Sequence, residues 1–263
     1  MNPGLRYLEP TPISGLAVAR HRPRAPRATV VAIHGGLDRG ASFTRLSRRL
    51  EDFEVIAYDR RGYQRSRQRG PGTLDQHLAD LAEVLDWAQP SGPLMLFGHS
   101  FGGLVAMTYA ARHRGPRLVI VYESPLPWVL ARPSPTPAPG ENAALEAERF
   151  FRRVVSDAAW EHLSHAEQES RRLDGPALRA DLVSMTDPLS PFELDEITTP
   201  VRYLHGDQRS ATYYHALARS LHAANPLITV AEIAGAGHGA HLSHPDHLAA
   251  EVRRALDETG RGA

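Results

Sequence analysis

Short apolar runs rich in β-branched residues recur at residues 29–33, 54–58, 94–97, 118–122, 201–205 and 228–233, and helix-patterned stretches separate most of them. Such alternation leaves few architectures open. Strands joined through helices run parallel, and continuous apolar runs without a polar face belong to strands covered on both sides. Two weaker strands before residue 22 complete the expectation: an α/β fold with a mostly parallel eight-stranded sheet flanked by helices. The clearest helix spans 74–88, where Leu74, Leu78, Leu81, Leu85 and Ala88 repeat at helical spacing and Thr73 with Gln76 forms a capping box. Further helices are expected at 42–50, 103–113, 212–224 and 245–258.

The alternation breaks between residues 125 and 196. Six prolines from Pro125 to Pro139 open this stretch, helical patterns with Phe150, Phe151 and Trp160 follow, and Pro188 and Pro191 punctuate the return. The expected division is a core of residues 1–124 and 197–263 with a helical cap inserted at 125–196.

Composition narrows the chemistry. The 263 residues are 42% hydrophobic and 23% charged, an ordinary globular balance. No apolar run approaches the roughly 20 residues that span a bilayer, and the N-terminus lacks a signal-peptide core. A soluble, cytoplasmic protein without a membrane partner is expected. Cysteine and lysine are both absent, which excludes disulfides, thiolate nucleophiles, Schiff-base lysines and the phosphate-binding lysine loop. Residues 1–70 carry 14 Arg against 6 acids, although the whole chain is formally neutral. The run Arg60, Arg61, Arg65, Arg67 and Arg69 is read as a solvated face, and nucleic acid is not an expected partner.

One segment carries a chemical signal. The apolar run 94–97 leads into Gly98-His99-Ser100-Phe101-Gly102-Gly103, a strand, G-x-S-x-G, helix sequence. Glycines at 98 and 102 would let a tight turn expose the central serine. The pentapeptide alone is a weak signal, because a glycine-rich turn before a helix can be purely structural. Context strengthens it. His34-Gly35-Gly36 follows the strand 29–33, so the amides of Gly36 and Phe101 could face one developing oxyanion. Gly237-His238-Gly239 follows the last strand and offers a general base. His241, His244 and His247 recur at three-residue spacing, but no His/carboxylate pair has the helical spacing of a zinc motif, so no metal is expected.

In this order the motifs His34-Gly35-Gly36, Asp59-Arg60-Arg61-Gly62-Tyr63-Gln64-Arg65-Ser66, Gly98 to Gly103 and Gly237-His238 resemble the serine-nucleophile branch of the α/β-hydrolase fold family. The likeness covers nearly all of residues 28–258. It implies a structural Asp59, and a backbone departure at Gln64, where glycine is usual. It also implies an acid that orients His238. Many members place an aspartate after the seventh strand, but His205-Gly206-Asp207-Gln208-Arg209 has Arg209 at that point, with Asp207 two residues early. Others carry the acid after the sixth strand, where Tyr122-Glu123-Ser124-Pro125 supplies Glu123. A carboxylate at the buried end of a parallel strand is costly to desolvate unless a group such as imidazole partners it. Glu123 is the expected acid and Asp207 the alternative.

The resemblance implies a cofactor-free serine hydrolase acting on an ester, lactone or thioester of a small organic molecule, as a monomer or homodimer. The alternatives are a carbon–carbon bond hydrolase using the same triad and a non-catalytic binding scaffold. Serine at the elbow speaks against the dehalogenase and epoxide hydrolase members, which resemble one another in using aspartate. Leu37, His99, Trp128, Phe151 and Trp160, with Phe150 and Phe192, are candidates for the pocket wall and equally for core.

Overall fold

A computed structural model describes residues 4–131, 142–186, 189–208 and 211–261; the expectations for Pro133, Pro135, Pro137, Pro139, Pro188 and Arg209 lie outside the described residues. Eight strands form one sheet in the order β1-β2-β4-β3-β5-β6-β7-β8. They are β1 Arg6–Tyr7, β2 Val18–His21, β3 Thr29–Ile33, β4 Glu54–Tyr58, β5 Leu94–His99, β6 Leu118–Tyr122, β7 Val201–Gly206 and β8 Ile228–Ile233. β1 and β2 pair antiparallel at one edge, and β4 through β8 run parallel with β3 between β4 and β5. The mostly parallel eight-stranded sheet is the one the sequence implies.

Both faces of the sheet are covered, which explains the unbroken apolar runs. Val31, Ile33, Ile56 and Tyr58 point to one side, where α2 Leu74–Ala88, α3 Phe101–Arg112 and α8 Ala211–Ala224 cover them. The alternating residues Val30, Ala32, Val55 and Ala57 point to the other, beneath α1 Thr44–Arg49 and α10 Pro245–Arg261. Thr73 and Gln76 cap α2 reciprocally, with N–H to side-chain oxygen distances of 3.3 and 3.0 Å. The helix expected from 103 starts at Phe101, because the turn before it is tighter than the sequence suggests.

Between β6 and β7, helices α4 Ala143–Val154, α5 Asp157–Glu161, α6 His165–Leu173 and α7 Gly175–Met185 gather around Phe151, Trp160, Leu178 and Leu182. Leu37 and Tyr63, from the loops after β3 and β4, join the same cluster.

The basic run is not a solvated face. Arg60 is fully buried against Asp181 of α7, with Nη2 to Oδ2 at 2.6 Å, and the buried Arg61 forks onto Asp80 of α2 at 2.7 Å through both nitrogens. Arg67 reaches Asp174 and Arg69 reaches Asp80 and Glu83. Acids distant in sequence supply the counter-charges, so the local charge run misleads.

Candidate active site

The C-terminal ends of the parallel strands form one rim, and strand order reverses at β3, the position at which open α/β sheets make a ligand crevice. β5 turns into α3 through Ser100, whose φ of 53° and ψ of −125° lie in a region that L-residues rarely occupy. Neighbouring backbones hold this strain in place. Ser100 N–H donates to the Tyr122 carbonyl at 2.9 Å, and Gly103 N–H donates to the Ser100 carbonyl at 2.8 Å. A Cβ on Gly102 would lie 2.1 Å from the Ile33 carbonyl oxygen, and one on Gly98 would lie 2.4 Å from Gly103 Cα. Both glycines are required by that close approach. Phe101 opens α3, so its N–H belongs to the first turn, whose donors have no intrahelical acceptor.

Gly36 follows β3 in a loop anchored from beneath. His34 is fully buried, and burial, reinforced by the Arg60 charge, pulls its pKa down to about 3. The ring is therefore neutral. Nδ1 donates to the Gly35 carbonyl at 2.7 Å, and Nε2 accepts from Arg60 N–H at 2.9 Å. The Arg60 guanidinium donates back to the carbonyls of His34 and Gly35 at 2.8 and 3.2 Å. With its carbonyls tied down, the loop presents Gly36 to the inserted helices, where a Cβ on Gly36 would stand 2.9 Å from Leu178 Cδ1.

His238 Nδ1 donates to Glu123 Oε2 at 2.7 Å, and Gly206 N–H donates to Oε1 at 3.1 Å. Glu123 is fully buried at the end of β6 and takes a φ of 45°. Tyr122 ties the same strand end to both neighbours. Its carbonyl accepts from Ser100, and its hydroxyl donates to the Gly237 carbonyl at 2.7 Å. His99 Nε2 lies 2.8 Å from the His238 carbonyl, and Tyr214 stacks on the His238 ring at 6.0 Å. The alternative acid, Asp207, does something else: its exposed carboxylate accepts from Gly235 N–H at 2.9 Å and from Gln208. The backbone bond holds Asp207 below its ordinary pKa, as expected of a turn cap.

A model of the alpha/beta hydrolase family matches residues 30–252. The chain belongs to the alpha/beta hydrolase family. Among curated relatives of this chain, lipase LipV of Mycobacterium tuberculosis is 41% identical over 99 residues, covering 38% of this chain and 37% of the relative. Human monoglyceride lipase is 33% identical over 115 residues, 41% of this chain and 37% of the relative. The chain thus spans less than half the length of these relatives. In three dimensions it is similar to the enol-lactonase of Burkholderia xenovorans, with a TM-score of 0.70 at 19% identity, covering 96% of this chain and all of the other.

The pocket candidates separate into groups. Leu37, Phe151 and Trp160 share one apolar cluster with Tyr63 and Leu178. Trp128 instead meets Phe192 edge-to-face at 5.6 Å in the sheet core, away from that cluster. His99 is packed among His238, His241 and Tyr122. Sequence reasoning missed Leu178 and Tyr63, which stand with the expected Phe150 within 4 Å of a Cβ placed on Gly36. It also missed Tyr214 and the Arg60–Asp181 pair. Of these only Arg60 was singled out in the sequence, as part of the basic run after β4. Gln64 keeps a left-handed φ of 46°, held by its N–H to Asp174 at 3.0 Å, so the chain bends there without glycine.

Proposed function

We propose that the protein is a serine hydrolase cleaving a carboxylic ester, lactone or thioester of a small organic substrate through an acyl-enzyme. The observation that carries this reading is the 2.7 Å bond from His238 Nδ1 to the buried Glu123 carboxylate, on the rim that also bears the strained Ser100. With Nδ1–H engaged, the imidazole's other nitrogen is the one left to accept the serine proton. Ser100 Oγ attacks the acyl carbonyl, His238 takes the proton, and the amides of Gly36 and Phe101 receive the oxyanion. His238 returns the proton to the leaving group, and water then releases the acid by the same steps. Every role falls to a protein group, so the reaction draws on no cofactor.

Residues 125–196 act as a cap in this reading: Leu178 and Phe150 stand in front of Gly36 and form the acyl side of the pocket. The lipase names of two curated relatives support an ester as substrate. Hydrolysis of p-nitrophenyl esters of increasing acyl length tests the proposal, with Ser100→Ala as the blank. The parent should turn over, and the variant should lose on the order of 10⁵-fold in kcat with its melting curve intact. A variant retaining about a tenth of parental activity refutes nucleophilic catalysis by Ser100.

A further inference from the structure

Behind the elbow lies a second cluster that the proposed hydrolysis does not use. Asp38 Oδ2 lies 3.1 Å from His241 Nε2 and 3.9 Å from His99 Nδ1, and one donor atom from each residue falls within 4.8 Å of the others. Both rings are more than nine-tenths buried. His99 Nδ1 and His241 Nδ1 have no hydrogen-bond partner among the described residues, and His241 Nε2 meets only the Asp38 carboxylate, as an ion-pair contact.

Hydrogen bonding assigns the lone pairs. His99 Nε2 faces the His238 carbonyl at 2.8 Å, and a carbonyl accepts only, so the proton of a neutral His99 sits on Nε2. Nδ1 is then a bare lone pair aimed at a carboxylate and a second imidazole. Ser42 Oγ lies 3.1 Å from Asp38 Oδ2 and 2.7 Å from the Arg39 carbonyl. Two imidazole nitrogens and a carboxylate oxygen thus converge, and a cation among them, whether a proton on His241 Nε2 or a metal ion, offsets their repulsion. Two imidazole nitrogens and one carboxylate oxygen are a common ligand set for zinc. Tetrahedral Zn²⁺ bonds of about 2.05 Å would set the ligand atoms about 3.4 Å apart, between the two separations to Asp38 seen here.

We propose that Asp38, His99 and His241 form a binding site for one divalent transition-metal ion, Zn²⁺ by ligand type. Each ligand comes from a different rim segment: Asp38 stands two residues after Gly36, His99 directly before Ser100, and His241 three residues after His238. A bound ion would pin the three segments that carry the proposed nucleophile, base and oxyanion amide. His244 and His247 take no part, since their rings pair with each other at 5.8 Å. A cleft of about 510 Å³ reaches Asp38 and gives the site a path to solvent. Mg²⁺ and Ca²⁺ prefer oxygen ligands, and two of the three donors here are imidazole nitrogens.

The test is calorimetric titration of the tag-free, chelator-stripped protein with Zn²⁺, and with Co²⁺ as a spectroscopic substitute. One equivalent of Zn²⁺ per chain should bind and raise the melting temperature on the order of 10 °C at a thousandfold excess over Kd. Co²⁺ should give the visible absorption of a four-coordinate nitrogen and oxygen site. Asp38→Asn and His241→Gln should each weaken Zn²⁺ by at least about a hundredfold, a loss at the upper end for groups outside a ligand set. His244→Ala and His215→Ala should leave binding unchanged; His215 belongs to the other group of suitable spacing among the described residues, with His205 and Glu232. Absence of uptake by the parent overturns the proposal without any variant. So does uptake that survives both Asp38→Asn and His241→Gln, which would place the ion elsewhere.

Discussion

Backbone strain in this molecule is concentrated where the proposed chemistry lies. Of the five non-glycine residues with left-handed φ among the described residues, Leu37, Ser100 and Glu123 sit at the C-terminal rim. Ser100 and Glu123 are held there by backbone hydrogen bonds from adjacent strands, so their side chains are aimed before any substrate arrives. The two carboxylates once in competition now make different predictions. Glu123→Gln presents an amide to His238 Nδ1 and favours the wrong tautomer, and kcat toward an ester should fall on the order of 10³- to 10⁴-fold. Asp207→Asn should cost less than about threefold, because its oxygen still caps the Gly235 turn. Steady-state kinetics of both variants, with matched melting curves, distinguishes them; equal small losses would remove Glu123 from the mechanism.

Among the elements, the inserted helices are tied to the core by the fully buried Arg60–Asp181 ion pair as well as by apolar packing. Burial alone would raise the pKa of Asp181 in α7, but the Arg60 guanidinium overrides it and holds the carboxyl well below its usual range. Tyr63 Oη and both Arg60 Nη atoms converge on that one carboxylate at 2.6 to 3.0 Å. Such a pair adds little over a well-packed apolar contact, yet breaking it strands a charge. Asp181→Asn leaves Arg60 buried without its anion and should cost about 3–5 kcal/mol in urea unfolding. Because Arg60 also anchors the carbonyls of His34 and Gly35, ester turnover should fall in the folded fraction too. Unchanged stability would show that α7 is held by its apolar contacts alone.

Taken whole, the molecule buries imidazoles that cannot ionise in place. Burial also depresses His77, which lies 3.2 Å from Arg60 Nη1. For His34 the folded pKa is about 3 against an ordinary 6.5, so the unfolded chain binds the proton first. Stability from this residue is complete above about pH 6.5 and is lost as pH falls toward 3, at about 1.4 kcal/mol per pH unit. Asp59 and Asp174, raised by burial, act in the opposite sense from the ordinary carboxylate value upward. Loss of stability between pH 6.5 and 5 should therefore dominate, and in His34→Gln the slope of unfolding free energy against pH should flatten by about that amount. An unaltered slope would mean that His34 is not the titrating group. No helix among the described residues is long and apolar enough to cross a membrane.

Much of this was legible in one dimension, because some physical signals are local. Strand and helix positions follow from hydrophobic period, the α2 cap from Thr73 and Gln76, and the turn at Ser100 from glycines whose Cβ atoms would collide with backbone. What the sequence could not decide is whatever depends on partners far along the chain. It left Glu123 and Asp207 both open, since which carboxylate meets His238 depends on β6 and β8 ending on the same rim. It read Arg60 and Arg61 as solvated, since their counter-charges stand 121 and 19 residues away. It grouped His241 with His244 and His247 by spacing, whereas the fold turns His241 inward to Asp38. Local sterics and periodicity are written residue by residue, but charge pairing and burial are settled only when distant segments meet.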